Sequence, residues 1–514
     1  MPNVNAILVG PPGAGKTSVG RALAQRLGWP FVDVDAAITA QAGKPIPDIF
    51  RDDGEAAFRA YERDQIRALS GRFGHVIAPG GGALLDPDNR AALERHGVLF
   101  CLRATPEVLL GRVAGSDRPL LQGDPAARLQ TLLAARAPLY DSIAEQVDTS
   151  ALRVSEVATE VVRRLAPREL RITAPGFEHT VALGYGLLGE LAGAVDARGL
   201  GRPAVVVVDD VVAGQPWLAA IDAPRLVVPT GEAHKTLDTI RLMYDRFLEL
   251  GLDRGSLVIA VGGGVIGDMT GFAAATFMRG VRWVNVPTTL LAMVDASLGG
   301  KTGVDLPQGK NLVGAFHPPA LIVSDPLTLH TLPAPELRSG LAEAIKHGVI
   351  DDAELWREYV ARPALGGVDQ LERAIAVKVR VVSEDPYERG RRATLNLGHT
   401  IGHGVEAASG FRLRHGEAIA VGLVAEARLA AALGLAAPEL ADALRNVLVN
   451  AGLPVAAPGL DPEDIRVVMS SDKKKSGSRL KFALPAAIGD VRWGVDVPET
   501  LLATELQRVT GALP

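Results

Sequence analysis

The feature that most constrains the fold is a glycine-rich loop close to the start of the chain. Residues 10–17 read GPPGAGKT, fit the pattern G-x-x-x-x-G-K-T, and lie between the apolar run AILV and the helical stretch SVGRALAQRL. In this setting the glycines let backbone N–H groups surround phosphate oxygens, and the start of the helix adds partial positive charge. We therefore predict a parallel α/β unit that binds a nucleotide, with Thr17 as a ligand of Mg²⁺. The residues expected around the phosphates are Gly13, Gly15, Lys16, Thr17 and Ser18.

The composition indicates a globular protein of several packed units. The chain has 514 residues, of which 47% are hydrophobic and 22% charged, and this length exceeds what a single core usually holds. The formal net charge of -5 comes without a basic stripe, so nucleic acid is not an expected partner. No basic leader and no membrane-spanning apolar run is visible, and we expect a cytoplasmic protein. Because Cys101 is the single cysteine, a metal must be bound by histidines and carboxylates.

Strand-like and helical patterns divide the chain into three predicted domains. The first alternating pattern closes with the helix VATEVVRRL, and the segment after it places a boundary between Arg164 and Glu169. Buried-strand patterns such as AVVVVDD and SLVIAVGGG then alternate with helices, which predicts a second parallel, Rossmann-like α/β layer. Beyond Pro335 the pattern is mainly helical, with one late strand pair. The predicted domains are residues 1–165, 166–330 and 331–514.

Two features of the first domain are candidates for binding a phosphate acceptor. Asp33 and Asp35 end the strand-like segment FVDVD, where strand alternation would direct both side chains to one face. One would then suit the metal and the other a substrate hydroxyl. The glycine triplet 80–82 follows the run VIAP, at a place where the backbone can approach a ligand closely.

Residues 1–165 resemble the shikimate kinase family. The matching motifs occur in family order: the loop 10–17, DVD at 33–35, DGEAAFR at 53–59, GGG at 80–82, RPLL at 118–121 and RAPLY at 136–140. The resemblance implies that shikimate is held by Asp35, Arg59, Gly81, Gly82 and Arg136, and that Arg118 comes from a mobile lid. Lys16, Asp35 and Arg118 would then be the catalytic residues of an ATP- and Mg²⁺-dependent phosphoryl transfer. Such a transfer needs alignment and charge neutralisation more than covalent chemistry.

A second glycine-rich loop follows the apolar run at residues 257–261. Its sequence GGGVIGD, residues 262–268, contains G-x-G-x-x-G, which after a strand permits contact with a pyrophosphate. The acidic residue usually found about twenty positions later is missing, because Pro287 stands there, so the Rossmann fingerprint fits only in part. A dinucleotide is the expected ligand.

Histidines and a carboxylate in the helical part form a candidate metal site. His399 and His403 would share one face of a helix, while His415 and Glu343 supply further ligands. Burying imidazoles in such an apolar region is costly without a partner. A metal site is the leading interpretation, and histidines that are simply hydrogen-bonded are the alternative.

From about residue 170 to its end the chain resembles the 3-dehydroquinate synthase family. The ordered motifs are PTGE at 229–232, the loop 262–268, PTT at 287–289, GGKTG at 299–303, AEAIKHG at 342–348, LNLGHTIGH at 395–403 and HGE at 415–417. The resemblance implies NAD and Zn²⁺ or Co²⁺ as cofactors, with Glu343, His399 and His415 as metal ligands. His403 would transfer protons, and Lys346 and Arg279 would be further catalytic groups.

The same resemblance implies two larger binding sets. The residues expected to contact NAD are Asp209, Glu232, Lys235, Gly263, Gly264, Asp268, Thr288, Thr289, Lys301 and Lys310. The substrate set is largely cationic, which suits a ligand with a carboxylate and a phosphate. Its members are Asp295, Lys301, Asn311, Lys346, Lys378, Arg392 and one of Lys473 and Lys474, of which we choose Lys473. The basic cluster 389–392 leaves open which guanidinium faces the substrate, and Arg392 is selected by its distance from His399.

Together the two resemblances imply a bifunctional enzyme of the shikimate pathway. The first activity would phosphorylate shikimate to shikimate 3-phosphate. The second would convert 3-deoxy-D-arabino-heptulosonate 7-phosphate to 3-dehydroquinate and phosphate, with NAD reduced and reoxidised in each turnover. The alternatives are a C-terminal sugar-phosphate cyclase of other specificity and an N-terminal nucleotide-binding regulatory module. The family also implies a homodimer through the synthase part.

Overall fold

A computed structural model gives the fold for residues 3–114, 124–175, 177–476 and 480–511, with the backbone alone for residues 177 and 471–476. The predicted fold class is confirmed, because a parallel five-stranded sheet is followed by a seven-stranded sheet and then by a mainly helical region. The exact domain boundaries stay a prediction.

The first sheet is built by alternating strands and helices. They are β1 (Asn5–Val9), α1 (Lys16–Leu27), β2 (Phe31–Asp33), α2 (Val34–Ala42), α3 (Ile46–Asp52), α4 (Gly54–Leu69), β3 (Val76–Ala78), α5 (Pro87–Glu94), β4 (Gly97–Arg103), α6 (Pro106–Val113), α7 (Pro125–Asp141), β5 (Glu145–Asp148) and α8 (Val154–Leu165). The strands pair in parallel in the order β2-β3-β1-β4-β5. β1 is central and fully buried. The loop that follows it lies at the carboxyl edge of the sheet, where such sheets bind ligands.

The prediction that a strand extends to the end of FVDVD is wrong. β2 stops at Asp33 and α2 starts at Val34, so Asp35 stands in the first turn of a helix. Asp33 caps this helix, since its Oδ1 accepts the N–H of Ala36 at 3.3 Å, a contact that favours helix starts. The two carboxylates are therefore not aligned by strand alternation.

The second sheet is mixed rather than wholly parallel. Its part of the chain contains β6 (Arg168–Ala174), β7 (Phe177–Leu183), α9 (Leu191–Ala197), β8 (Pro203–Asp209), α10 (Asp210–Ala213), β9 (Arg225–Val228), α11 (Leu237–Glu249), β10 (Leu257–Gly262), α12 (Gly264–Thr276), β11 (Arg282–Pro287), β12 (Lys301–Leu306), β13 (Gly309–Phe316) and β14 (Leu321–Ser324). The order is β6-β7-β14-β11-β10-β8-β9. Within the seven-stranded sheet, β6–β7 is the only antiparallel pair among the described residues, so the predicted parallel layer has an antiparallel edge.

An antiparallel hairpin of β12 and β13, which the sequence did not predict, packs against α12. Gly271 of α12 permits this contact, because a Cβ there would lie 2.4 Å from the Thr302 methyl carbon. The hairpin carries three of the predicted site residues, namely Lys301, Lys310 and Asn311.

The remaining part is mainly helical. It contains α13 (Ala334–Asp351), α14 (Ala353–Ala361), α15 (Val368–Glu384), α16 (His399–Ala408), α17 (His415–Ala432), α18 (Glu439–Asn450), α19 (Pro462–Ser476), β15 (Phe482–Ala487), β16 (Asp490–Val495) and α20 (Glu499–Val509). The strands β15 and β16 form the predicted late pair. Among the described residues, no helix combines the length and apolar character needed to cross a membrane.

Helices α16 and α17 cross at close range because glycine stands at their contact. A Cβ added at Gly422 of α17 would lie 2.0 Å from the carbonyl oxygen of Gly398, which precedes α16. This approach brings His399 at the start of α16 towards His415 at the start of α17. Backbone packing therefore sets the distances within the candidate metal site.

We predict that Gly422→Ala destabilises the protein, whereas Gly193→Ala does not. The new methyl group at residue 422 would overlap a backbone oxygen, and overpacking of this kind costs about 1–3 kcal/mol. At Gly193 of α9 a Cβ would meet no atom within 4 Å, and alanine in a helix is favoured over glycine by roughly 0.5–1 kcal/mol. Urea unfolding followed by circular dichroism measures both variants, and equal midpoints would contradict the prediction.

Candidate active sites

The phosphate-binding loop and the acceptor candidates line one cavity of about 1040 Å³. Residues 12–19 form one wall. The other walls carry the remaining predicted residues Asp35, Arg59, Gly81, Gly82 and Arg136. The volume suits a nucleotide beside a small acceptor. Arg118, the predicted lid residue, lies outside the described residues.

The loop itself is arranged for phosphate and Mg²⁺. Gly13 and Gly15 adopt φ values of +84° and +96°, which are readily accessible only to glycine. Lys16 Nζ donates to the carbonyl oxygen of Gly10 at 2.9 Å, and Thr17 Oγ1 donates to Asp33 Oδ2 at 2.9 Å. The hydroxyl and the carboxylate thus stand together as oxygen ligands of the kind Mg²⁺ prefers.

Polar side chains converge on the glycine triplet 80–82. A Cβ at Gly80 would lie 2.8 Å from Asp35 Oδ1, and one at Gly82 would lie 3.4 Å from Arg59 Nη2. Arg136 Nη1 donates to the carbonyl oxygen of the middle glycine at 2.5 Å. The missing side chains leave space where an acceptor can meet one carboxylate and two guanidinium groups.

Glu62 belongs to this site although the sequence analysis missed it. Its side chain is only 1% exposed and lies 2.7 Å from Arg59 Nη1, and burial raises the pKa of Glu62. Glu55 contacts Arg59 from the other side at 3.2 Å. The spacing of three residues between Arg59 and Glu62 on α4 was the available signal.

The predicted metal ligands meet where α13, α16 and α17 converge. Glu343 Oε1 lies 3.6 Å from His399 Nε2 and 3.5 Å from His415 Nε2. The ligand atoms of His399, His403 and His415 lie within 4.8 Å of one another. His403 is therefore near enough to be either a fourth ligand or a proton-transfer group.

Both ligand imidazoles are oriented through their other nitrogen. His399 Nδ1 lies 3.1 Å from the carbonyl oxygen of Leu397, and His415 Nδ1 lies 3.2 Å from Glu406 Oε2. These contacts leave Nε2 of each ring directed towards Glu343. Metal-bound histidines usually have a hydrogen-bond partner of this kind at the nitrogen that does not bind the metal. Glu406 was missed, although it follows His399 and His403 on one face of α16 and is visible there by helical spacing.

Electrostatics favour a cation between these groups. The Glu343 side chain has no exposed surface, and among the described residues its oxygens accept no regular hydrogen bond. Burial opposes its charge, but Lys346 Nζ at 2.6 Å and the imidazoles hold the pKa of Glu343 well below its usual range. Burial lowers the pKa of His399. Burial also works against charge on His415, yet Glu343 and Glu406 raise its pKa to about 9.

A second cluster of acids and histidine shares Glu343. Asp295, Glu343 and His347 also have ligand atoms within 4.8 Å of one another. However, Asp295 Oδ1 already lies 2.5 Å from Lys378 Nζ, and His347 Nδ1 lies 2.9 Å from the carbonyl oxygen of Ala374. A cation there would face the Lys378 charge, so the side of His399 and His415 fits a metal better.

The predicted dinucleotide loop lies at the carboxyl end of β10. Thr288 N donates to the carbonyl oxygen of Gly262 at 2.9 Å. A Cβ at Gly263 would lie 3.2 Å from Thr289 Cγ2, so glycine lets this loop pack closely against Thr289. Asp209 ends β8, the neighbour of β10, and therefore stands at the same edge of the sheet.

Asn311 lies with the predicted NAD residues, although it was assigned to the substrate set. Lys235 Nζ donates to Asn311 Oδ1 at 2.6 Å and lies 2.7 Å from Asp268 Oδ2. Burial raises the pKa of Asp268 to about 6, against the effect of Lys235. The β12–β13 hairpin explains the placement, since it folds Asn311 over α12.

Lys310 connects the NAD side to the metal side. Its Nζ lies 3.5 Å from Glu232 Oε1 and 2.9 Å from Glu406 Oε1. Glu406 in turn contacts His415. The two predicted cofactor sites are therefore joined by a continuous series of charged contacts.

The cationic substrate set lies around Asp295 and the loop before the β12–β13 hairpin. Lys346 and Lys378 are buried beside Glu343 and Asp295 respectively. Arg392 is 2% exposed, and a Cβ at Gly299 would lie 2.4 Å from its Nη2.

Neither other arginine of the 389–392 cluster shares this position. Arg391 pairs with Glu384 at 2.6 Å, and the Arg389 guanidinium lies 5.9 Å from the ring centre of Tyr387. Arg392 is thus the inward guanidinium of the cluster.

Glu388 is a further residue that sequence reasoning missed. It forms an ion pair with Lys301, accepts Asn396 Nδ2 at 3.1 Å, and has a left-handed φ of +57°. A non-glycine residue in this conformation is uncommon and often marks a functional site. No pattern in the surrounding sequence predicted this backbone conformation.

Two predicted residues are not joined to these groups. Arg279 is exposed at a left-handed bend with φ +67°, and among the described residues it makes no hydrogen bond or ion pair with the substrate set. Lys473 belongs to α19, and its side chain lies outside the described part of the chain.

Three family models match the sequence. The model described as Shikimate kinase matches residues 12–166. The models described as 3-dehydroquinate synthase N-terminal and 3-dehydroquinate synthase C-terminal match residues 225–339 and 340–475.

Relatives support the same assignment for the larger part. The 3-dehydroquinate synthase of Synechococcus sp. is 49% identical over 295 residues, which are 55% of this chain and 80% of the relative. The 3-dehydroquinate synthase of Synechocystis sp. is 43% identical over 339 residues, which are 62% of this chain and 94% of the relative.

Solved structures of sugar-phosphate cyclases share the fold. A 2-epi-5-epi-valiolone synthase from Streptomyces hygroscopicus with bound NAD⁺ and Zn²⁺ is 29% identical, with a TM-score of 0.58, over 64% of this chain and 96% of that one. A 2-deoxy-scyllo-inosose synthase with carbaglucose-6-phosphate, NAD⁺ and Co²⁺ is 27% identical, with a TM-score of 0.59, over 66% of this chain and 100% of that one.

Fold and sites together define a phosphate-loop phosphotransferase joined to a dinucleotide- and metal-dependent cyclase. The chain belongs to the 3-dehydroquinate synthase family and carries a shikimate kinase domain in front of it. It is a bifunctional enzyme of the shikimate pathway, a kinase and a lyase in one chain. The expected cofactors, NAD with Zn²⁺ or Co²⁺ and ATP with Mg²⁺, agree with these families and neighbours.

We predict that Glu406→Gln weakens metal binding by about 10–100-fold, as loss of an outer partner of a ligand histidine typically does. The amide cannot supply the negative charge that orients His415. A competition titration of the metal-free protein with Zn²⁺ and a chelating dye measures the affinity. Glu439→Gln, at an exposed position of α18, serves as the matched control. An unchanged affinity for Glu406→Gln would contradict the prediction.

Proposed function

We propose that the two activities reside in two separate sites and that the residues predicted from the sequence carry them. For the synthase, the supporting observation is that two imidazole Nε2 atoms face the buried Glu343 carboxylate while their Nδ1 atoms are engaged elsewhere. For the kinase, it is the single cavity shared by the phosphate-binding loop and the acceptor residues.

In the kinase, positioning and charge neutralisation account for the proposed roles. Asp35 accepts a hydrogen bond from the shikimate hydroxyl that is phosphorylated. Arg59 and Arg136 converge on the glycine triplet and bind the carboxylate of shikimate. Lys16 neutralises the transferring phosphate, and Arg118 adds charge when the site closes.

In the synthase, Glu343, His399 and His415 hold the metal, and the backbone at Gly263 and Gly264 meets the NAD pyrophosphate. When bound, the metal polarises a substrate hydroxyl and NAD accepts and returns a hydride. His403 lies near the ligand histidines and has an exposed surface, from which it transfers protons.

The cationic groups of the synthase site bind the charged ends of the substrate. Lys346, Lys378 and Arg392 are buried in one region, although each now contacts a carboxylate or a carbonyl oxygen. A substrate that brings its own carboxylate and phosphate supplies replacement anions for them. This arrangement favours a heptulosonate phosphate, which has a carboxylate, over a heptulose phosphate, which lacks one.

The substrate choice is testable against the alternative cyclase specificity. The relatives named 3-dehydroquinate synthase are 43–49% identical, whereas the solved cyclases of other specificity are 27–29% identical. We predict phosphate release from 3-deoxy-D-arabino-heptulosonate 7-phosphate and none from sedoheptulose 7-phosphate. Phosphate detection with NAD and Zn²⁺ present measures both, and release from sedoheptulose 7-phosphate alone would overturn the assignment.

We predict that each activity can be removed without the other. Lys16→Met should abolish shikimate phosphorylation and leave phosphate release by the synthase intact, because no residue is proposed for both sites. Removal of Zn²⁺ by dipicolinate should abolish the synthase, and added Mg²⁺ should then sustain the kinase. Coupled assays on the full chain measure both reactions. Loss of both activities in either experiment would refute two independent sites.

The domain boundaries 1–165, 166–330 and 331–514, a homodimer through the synthase part and a cytoplasmic location are further parts of this proposal. In the synthase part, Leu242 and Leu248 of α11 are exposed apolar side chains, at 56% and 61%. Light scattering on the purified protein gives its mass, and a monomer at micromolar concentration would refute the dimer.

A further inference from the structure

The kinase and synthase halves are joined by a buried contact at residues 141–145, which run from the last residue of α7 to the first residue of β5. Glu145 is 1% exposed although its side chain ends in a carboxyl group. Its carboxylate accepts Tyr185 Oη at 2.6 Å and the N–H of Val368 at 2.7 Å, both from the synthase half. Within the kinase half, Arg164 lies 2.8 Å away. A buried carboxylate needs such donors, so this segment is built to face the synthase.

The synthase backbone is shaped to receive Glu145. A Cβ at Gly367 would lie 2.1 Å from the Glu145 carboxyl carbon, so glycine leaves the room that the carboxylate occupies. In the first turn of α15, Asp369 pairs with Arg163 of the kinase half and, within the synthase half, with Arg168 at 2.5 Å. The two halves are therefore held together by specific buried hydrogen bonds and ion pairs, not only by the chain that links them.

Arg362 of the synthase half binds the same segment. Its Nη2 donates to the carbonyl oxygens of Asp141 at 2.9 Å and Ile143 at 3.0 Å. These carbonyls lie at and just beyond the carboxyl end of α7, where helix geometry leaves acceptors without internal partners. A guanidinium there also complements the negative end of the helix.

The supported helix carries a residue of the shikimate site. Arg136 lies on α7 and reaches across to the glycine triplet. Pro138 stands within α7 between Arg136 and the helix end. Because Pro138 cannot donate to the carbonyl oxygen of residue 134 and its ring clashes there, the turn of α7 that carries Arg136 is weakened. An external clamp on the helix end therefore limits the movement of Arg136.

We propose that Arg362, a residue of the synthase half, is a positioning residue for the kinase, because it fixes the end of α7 and thereby the guanidinium of Arg136. This inference rests on the proposed role of Arg136 in binding shikimate. It makes the shikimate site of this chain dependent on the neighbouring domain.

The test is steady-state kinetics of Arg362→Ala in the full chain. We expect KM for shikimate to rise on the order of tenfold, less than the ~100-fold that a misplacement of about 1 Å can cost. KM for ATP and the synthase activity should stay unchanged, because neither site contacts α7 through Arg362. Arg362→Lys should raise KM for shikimate less than Arg362→Ala does. The lysine ammonium keeps the positive charge but lacks the several N–H donors of the guanidinium.

Matched variants separate this inference from its premises. Arg357→Ala on α14 is the control, because Arg357 is 69% exposed and pairs only with Glu354 among the described residues. If Arg136→Ala leaves KM for shikimate unchanged, the proposed role of Arg136 fails. If Arg136→Ala raises it and Arg362→Ala does not, the positioning role is refuted. A parallel loss of synthase activity in Arg362→Ala would also refute it, because the defect would then be general unfolding.

Discussion

The synthase part is organised around one buried negative charge. Glu343 is fully enclosed, and an isolated carboxylate in such a place would be strongly unfavourable. Its compensation comes from Lys346 one turn along α13 and from imidazoles on two other helices, so three helices must meet at one point. Glycines at 398 and 422 permit that meeting by letting the backbones of α16 and α17 touch. The close packing of these helices thus sets the geometry around the buried carboxylate.

The kinase site differs from the synthase site because its chemistry does not depend on a buried charge. Phosphoryl transfer requires alignment and neutralised charge, which a loop and a few arginines provide without a buried ion. The groups that surround its cavity come from loops and helix ends at the carboxyl edge of the sheet, and the glycines at 80–82 keep the space between them open. Arginines held by neighbouring acids, as Arg59 is by Glu62, keep their direction before a ligand arrives.

The sequence predicted best where function depends on local spacing. The loop 10–17 and the pair His399 and His403 are read directly from neighbouring residues, and the structure places them on the expected turn and helix. Prediction was weaker where the partner is distant. Asn311 meets Lys235 only because an unpredicted hairpin folds over α12, and Glu388 meets Lys301 through a strained loop. Asp35 was misplaced because the pattern FVDVD hides the helix cap at Asp33.

Fusion also changes what a kinase residue must do. Among the described residues of its own half, Glu145 has only Arg164 as a charged partner, and its other two hydrogen-bond donors come from the synthase. In a kinase without the synthase half, the Glu145 carboxylate would lose the hydrogen bonds from Tyr185 and Val368. Its burial is therefore favourable only in the joined chain. The same stretch ends the helix that carries Arg136. The contact that holds the halves together therefore lies next to a substrate-binding element, and stability of the interface and geometry of the shikimate site are physically coupled.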